Sequence, residues 1–368
     1  MDISLLRNLT DPAILFFFAG LLIGLVKSNL EVPAPITKFL SLYLLMAVGF
    51  RGGHELARVG LSSTAVKTIG AAVILAIVLP ALGFFVLRRR ISAFDAAAIA
   101  ATYGSVSAVT FATASQFLTA RDNEAGGYLT VALVLMESPA IVMAVLLATW
   151  ARSRAKTMVL PENERAASLV SATVGVPVHD AKTQTEMSET IPEKNQPAGG
   201  HPSGPLSIKE VLREAFTDGA HLVLISSMVI GALSGNAGWN AMDPFINGLW
   251  KGMLAFFLLE MGLLVARQLR EVRDVGPFLI AYAVIMPLVG ATLALGLGQL
   301  FGLNVGDQTL LMVLAASASY IVAPAVIRYA IPEARPSRYF TMALAITFPL
   351  NIALGIPLYY AVANAVAG

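Results

Sequence analysis

Apolar residues occupy this chain in long blocks, with neither the alternation of a strand nor the one-sided stripe of a surface helix. A bilayer's hydrocarbon core is ~30 Å thick and needs about 20 such residues in a helix. Ten blocks meet or approach that length: Asp11–Lys27, Pro35–Phe50, Thr64–Leu87, Ala96–Thr119, Tyr128–Trp150, Phe216–Gly235, Pro244–Ala266, Val275–Phe301, Asp307–Ile331 and Tyr339–Ala365. None alternates with a period of two, as a membrane β-barrel strand would. The pattern predicts an all-α integral membrane protein with ten transmembrane helices. Pro12–Val26 reads as a retained helix, because no basic region or small-residue cleavage site accompanies it.

One segment breaks the pattern. Ala151–Ala215 carries 16 of the chain's 48 charged residues, six prolines and the Gly199–Gly200 pair. Such a composition cannot bury a core, so 152–215 is expected to be a flexible linker between 1–151 and 216–368. Its end, Ser207–Thr217, has the alternative of a short amphipathic helix on the membrane surface. Sixteen Lys and Arg residues fall on the linker's side of the membrane, among them Lys38, Arg88, Arg152, Arg267 and Arg338, against six on the other. By the positive-inside rule the linker is cytoplasmic and both termini lie outside.

Composition narrows the classes further. The chain is 57% hydrophobic and 13% charged, half the charge of an ordinary soluble domain. That excludes a secreted enzyme, a nucleic-acid-binding protein and a disordered scaffold. There are no cysteines, so thiol catalysis and Cys-ligated metals are excluded. No HExxH or GxxxxGK[ST] motif occurs, so neither zinc hydrolysis nor ATP-driven transport by this chain alone is expected.

The two halves match at a nearly constant offset. Gly20 and Gly24 correspond to Gly231 and Gly235, Gly49 to Gly262, Ser105 and Ser107 to Ser317 and Ser319, Tyr128 to Tyr339, and Pro139 to Pro349. Five helices per half and a linker that does not recross the membrane make the second half inverted. This 5+5 inverted repeat is the architecture of secondary transporters, whose substrates bind near the midplane.

Helices four and nine look discontinuous. Gly104 loosens the first, and Pro324 removes a donor and crowds the Tyr320 carbonyl in the second. Hydroxyls of Ser105, Ser107, Thr110, Ser317 and Ser319 can satisfy the freed backbone groups. Half-helix N-termini there suit an anion, and carbonyls with hydroxyls suit a small hard cation such as sodium. The alternative is that these small residues only let helices cross closely. Glu137, in the fifth span, is a candidate cation ligand or proton carrier, or else a neutral buried carboxyl bonded to a hydroxyl. Asn351 can bond the broken ninth helix or a substrate, or serve in packing. Glu260 is expected to be structural, and Lys38 and Lys251 to snorkel.

Ala315–Tyr339 (AASASYIVAPAVIRYAIPEARPSRY) resembles the ninth-helix motif of the sodium-dependent bicarbonate transporters of cyanobacteria and other bacteria. Val48–Gly53 (VGFRGG), Tyr103–Thr110 (YGSVSAVT) and Met136–Ala140 (MESPA) are also similar to that family. The resemblance implies a bacterial inner-membrane protein with a gate of helices one, two, six and seven and a core of the other six. It also implies a homotrimer, sodium-coupled bicarbonate uptake and a small PII-like regulator on the cytoplasmic face. The substrate site is then expected at Gly104, Ser105, Ser107, Ser317, Ala318 and Ser319, and the cation site at Ser107, Thr110, Glu137, Ser319 and Tyr320. No cofactor beyond the coupling ion is implied. The competing readings are a proton-coupled carrier of another small carboxylate, with Glu137 titrating, and a non-transporting sensor that signals through the linker.

Overall fold

Helix-forming runs and capping residues set the elements in the computed structural model, which describes residues 11–173, 213, 217, 219–320 and 322–367. The helices are α1 Pro12–Leu25, α2 Ala34–Val59, α3 Ser63–Leu87, α4 Ala93–Gly104, α5 Ala108–Thr119 and α6 Tyr128–Thr173. Then come α7 Gly219–Asp243, α8 Trp250–Gln268, α9 Pro277–Phe301, α10 Val305–Ala316, α11 Val322–Ala330 and the composite α12 Pro336–Ala367. Their starts follow local chemistry. Asp11 accepts from the Ala13 amide, Ser62 from Ala65, Ser92 from Asp95 and Asn304 from Asp307, each satisfying a donor the first turn leaves open. No strand occurs among the described residues.

Seven runs are long and apolar enough to cross a membrane, by length and composition: Ala34–Val59, Ser63–Leu87, Ala93–Thr119, Tyr128–Ser153, Gly219–Gln268, Pro277–Phe301 and Pro336–Ala367. Pro12–Leu25 and Val305–Ala316 are apolar but shorter. The difference from ten has three local causes. The first expected span forms a helix of only 14 residues, Pro12–Leu25. Gly219–Gln268 holds two expected spans in one run, bent at Gly235 (φ 57°) and joined through a π-turn at Pro244–Gly248. The ninth expected span is cut into the twelve residues of α10 and the nine of α11.

Two helices outrun their expected ends. α2 continues past Phe50 to Val59 because its polar residues find partners: Arg51 donates to Asn247 Oδ1 at 2.6 Å and lies over the Trp250 ring, while Arg58 pairs with Glu55. α6 runs past Trp150 to Thr173, so the first part of the expected linker is helical. The remainder, 174–212, lies outside the described residues, as does the Ser207–Thr217 surface helix apart from 213 and 217.

Packing divides these helices into two bodies. In one, α1 packs on α8 and α2 on α7, each from opposite halves of the chain. Both contacts depend on glycine. A Cβ at Gly20 would strike the Leu259 carbonyl and one at Gly262 the Phe17 carbonyl; likewise Gly53 meets Met228 and Gly231 meets Phe50. The backbones touch as in small-residue membrane crossings. The other body gathers α3–α6 and α9–α12 around the ends of α4, α5, α10 and α11. Two of its long helices carry internal prolines, Pro80 in α3 and Pro287 in α9.

A bidentate contact fastens one rim of this second body. Arg152 donates to both oxygens of Glu333 at 2.8 and 2.7 Å and to the Ala330 carbonyl at 2.9 Å, closing the C-terminus of α11. The guanidinium holds the Glu333 carboxyl below the usual carboxylate range.

Two predictions follow from this packing. Gly53→Leu and Gly262→Leu should each destabilise by about 1–3 kcal/mol or more through overpacking, whereas Gly70→Ala, which faces open space, should be neutral or stabilising; detergent melting curves measure both. Because its folded pKa is depressed, the Glu333 contact contributes above the unfolded carboxylate pKa and is lost as pH falls through the folded one. The melting temperature of Glu333→Gln should therefore lie below wild type at pH 7 by the small amount a partly exposed pair supplies, and the two should converge at low pH.

Candidate functional site

Two interruptions face each other in the middle of the second body. α4 stops at Gly104 and α5 starts at Ala108; α10 stops at Ala316 and α11 starts at Val322. Ser105 and Ser317 adopt extended backbone at these stops. Each interruption uses the other's polar groups. The Ser319 amide donates to the Thr102 carbonyl at 3.0 Å, and the Ser107 amide donates to the Ser317 hydroxyl at 3.0 Å, which in turn donates to the Leu314 carbonyl at 2.9 Å. Ser107 Oγ caps α5, accepting from the Thr110 amide at 3.2 Å and the Thr110 hydroxyl at 2.9 Å. Ser319 Oγ accepts from the Ala323 amide at 3.2 Å and so caps α11.

Gly104 acts by size rather than by loosening its helix. A Cβ there would lie 2.6 Å from the Pro80 ring, so the glycine admits the kinked α3 against the end of α4. Pro324 sits in the first turn of α11, where a missing N–H costs nothing.

Around the crossing, support comes from residues that the sequence reading left out. Asp95, in the first turn of α4, accepts from the Arg335 amide and the Arg338 guanidinium, both at 2.8 Å. Asp307, in the first turn of α10, accepts from the Gly126 amide at 2.7 Å, from Asn304 and from the Tyr128 hydroxyl. These two aspartates stand at the same offset as Ser105 and Ser317, and that was the signal to follow. Asn351 donates from Nδ2 to the Ala316 carbonyl at 2.8 Å and accepts from the Tyr359 hydroxyl at 3.0 Å. Of the roles open to it, bonding the broken helix is the one seen. Tyr103 and Thr347 share a 2.6 Å contact, and Thr347 donates to the Ala283 carbonyl.

A cavity of about 870 Å³ lies between the two bodies and ends at the crossing. Its floor includes Val106, Ser107, Ala108, Val109, Ser319 and Tyr320, and its walls are mainly apolar, with Leu45, Phe257 and Leu344 among them. Lys38 and Arg267 line it near the ends of α2 and α8. The lining runs from the starts of α2 and α7 and the end of α8 inward as far as Val48 and Leu133. At the other end α2 and α6 close together: a Cβ at Gly52 would strike Thr130, and one at Gly127 would lie 2.6 Å from Glu55 Cβ. The cavity is open on one side and sealed on the other.

Of the expected site residues, Ser107, Glu137, Ser319 and Tyr320 line the cavity, while Gly104, Ser105, Thr110, Ser317 and Ala318 are buried without lining it. Glu137 is held apart from the serines: its Oε2 lies 2.8 Å from Nδ1 of His221 on α7. Neither had been paired in the sequence reading, because the histidine stood isolated there. Tyr320 is 6% exposed, with its hydroxyl beside the Ser107 side chain, and among the described residues the Ser105 hydroxyl is buried without a partner. A buried hydroxyl of this kind costs about 1–3 kcal/mol unless something bonds it. Among the described residues no cluster of three or more His, Asp or Glu side chains could hold a metal. At the floor a cation would find carbonyls and hydroxyls, and an anion the amide ends of α5 and α11.

A family model described as the Na+-dependent bicarbonate transporter superfamily matches residues 12–364. No curated protein matches the chain.

Asn351→Ala would strand the Ala316 carbonyl and the Tyr359 hydroxyl in a dry interior. It should lower stability by about 1–3 kcal/mol, readable as a reduced melting temperature in detergent.

Proposed function

Since the chain belongs to the Na+-dependent bicarbonate transporter superfamily, and is thus a transporter and not an enzyme, we propose that it takes up bicarbonate together with sodium by alternating access. One observation carries the reading: two interrupted helices cross at the floor of a cavity open to one side only. The positive ends of α5 and α11 and the Tyr320 hydroxyl would hold the anion, and carbonyls and hydroxyls at the stops of α4 and α10 the sodium. No arginine lines the floor, which suits a small monovalent oxyanion better than a dicarboxylate that draws a bidentate guanidinium. With one sodium per bicarbonate the step is electroneutral, and a tenfold sodium gradient supplies about 1.4 kcal/mol, enough for about tenfold accumulation.

In this reading the chain crosses a bacterial inner membrane ten times, as an inverted pair of five-helix repeats, 1–151 and 216–368, around the 152–215 linker. Reciprocal packing supports the repeat: α1 on α8 answers α2 on α7, and the Asp95 contacts answer those of Asp307. The body of α1, α2, α7 and α8 is the gate and the other the core. The cavity then opens to the cytoplasm, the side of Lys38 and Arg267, and both termini lie outside. A homotrimer and a PII-like regulator rest on the family resemblance alone. A second reading, a proton-coupled carrier of another small carboxylate, draws support from the Glu137–His221 pair on the cavity wall.

Radiolabelled bicarbonate uptake into proteoliposomes, with sodium or potassium outside, tests the proposal. Wild type should accumulate the label only with sodium, and Ser107→Ala/Ser319→Ala should lose about tenfold or more, as removal of two hydroxyls from a charged ligand's site predicts. Uptake driven by a pH gradient without sodium would favour the second reading. No uptake in any condition from folded, inserted protein would overturn bicarbonate as the substrate.

A further inference from the structure

The two bodies meet sparingly along the open cavity. Among the described residues, two side-chain polar ties cross between them there. One is neutral and partly exposed: Gln268 on α8 donates to Thr341 on α12 at 3.2 Å. The other is Glu137 on α6 with His221 on α7, 2.8 Å apart and 8% and 2% exposed. Helices α6 and α7 otherwise barely touch, so this pair is the main link between them.

The contact on the sealed side is of a different kind. There Gly52 and Gly127 let backbone and small side chains fit by shape against Thr130 and Glu55. Arg51 of α2 feels the charge of Glu124 across this end but keeps its Asn247 and Trp250 partners on its own body, so the contact parts without stripping a buried group of its bonds. The Glu137–His221 pair cannot do so, because separation leaves an acid and an imidazole facing apolar walls without their partner, and breaking one member from a buried pair is strongly unfavourable. Any motion that closes the cavity and opens the seal displaces α6 relative to α7.

We propose that Glu137 and His221 are positioning residues of the transport cycle: their pair ties the two bodies in the arrangement with the cavity open, and it must part each time access changes sides. The inference rests on the alternating-access reading above, but not on the identity of the substrate or the coupling ion. Those supply the differential binding that offsets the loss of the tie in the other state.

The chain has no cysteine, which allows a direct test. Thr130→Cys, buried in the seal, and Ser41→Cys, on the cavity wall, would each serve as a single reporter for a membrane-impermeant maleimide, applied without sodium or bicarbonate. Glu137→Gln or His221→Gln should raise labelling of Thr130→Cys about tenfold, equivalent to about 1.4 kcal/mol, and slow that of Ser41→Cys. The exchange Glu137→His/His221→Glu should bring both rates back toward wild type. Unchanged rates at both reporters would overturn the proposal. So would equal changes in the single and exchanged variants with a matching fall in melting temperature, which would mean a packing role only. Failure of wild-type bicarbonate uptake would instead count against the substrate reading and would leave the labelling result intact.

Discussion

Backbone amides and carbonyls inside an apolar span must find partners within the protein, and the rest of this structure depends on that constraint. Interrupting α4/α5 and α10/α11 frees such groups in the buried middle of the helices around them. The chain resolves the difficulty by setting the two interruptions against each other, so that Ser319 bonds Thr102 and Ser107 reaches Leu314 through the Ser317 hydroxyl. Neither break is satisfied alone. This explains why the surrounding polar residues, Asp95, Asp307 and Asn351, are spent on fixing the ends of the four half-helices. It also explains why Gly104 must be small, since α3 has to reach the end of α4 through Pro80.

The first body of packed helices follows a different rule. In α1, α2, α7 and α8 there is little polar bonding to hold partners together, and lipid gives no hydrophobic drive for helix association. Close backbone approach at Gly20, Gly53, Gly231 and Gly262 supplies the attraction instead. Each body is thus tightly self-consistent, one through hydrogen bonds and the other through glycine contacts. The boundary between them carries mostly apolar walls and the cavity. A protein built this way has its softest surface where a transporter needs relative motion.

Much of this was legible in the residues. The serine-rich stretches at a shared offset located both interruptions, because only a helix stop makes use of so many short hydroxyls within an apolar run. Gly20 and Gly231 stood out only as matches between the halves, and their role as contact points comes from the fold. What escaped was set by three-dimensional proximity. Glu137 and His221 are far apart in sequence, and nothing local to either suggests the other. Asp95 and Asp307 looked like ordinary first-turn acids, favourable at a helix N-terminus, and only their partners across the fold reveal more. The ends of α2 and α6 were misjudged because polarity was read as the end of a helix, when Arg51 continues one by finding Asn247 and Trp250. The number of long spans differed because apolar blocks were counted without asking whether a hinge such as Gly235 or a break at Ser317 would join or divide them.

In the proposed pair of repeats, exact symmetry would favour neither side of the membrane, so departures from it bear on direction. Ser319 bonds a carbonyl directly, whereas the corresponding amide of Ser107 needs the Ser317 hydroxyl in between. Tyr320 brings a phenol to the floor of the cavity, where the first half has Ala108. One side of the boundary is closed by glycine and threonine surfaces and the other is tied by an acid and an imidazole. Shape contacts are short-ranged and part without leaving a buried group unbonded, while an acid–imidazole pair in an apolar cleft resists separation. Under the proposed cycle the difference between those two kinds of contact would set a resting direction, and it arises from a handful of side chains.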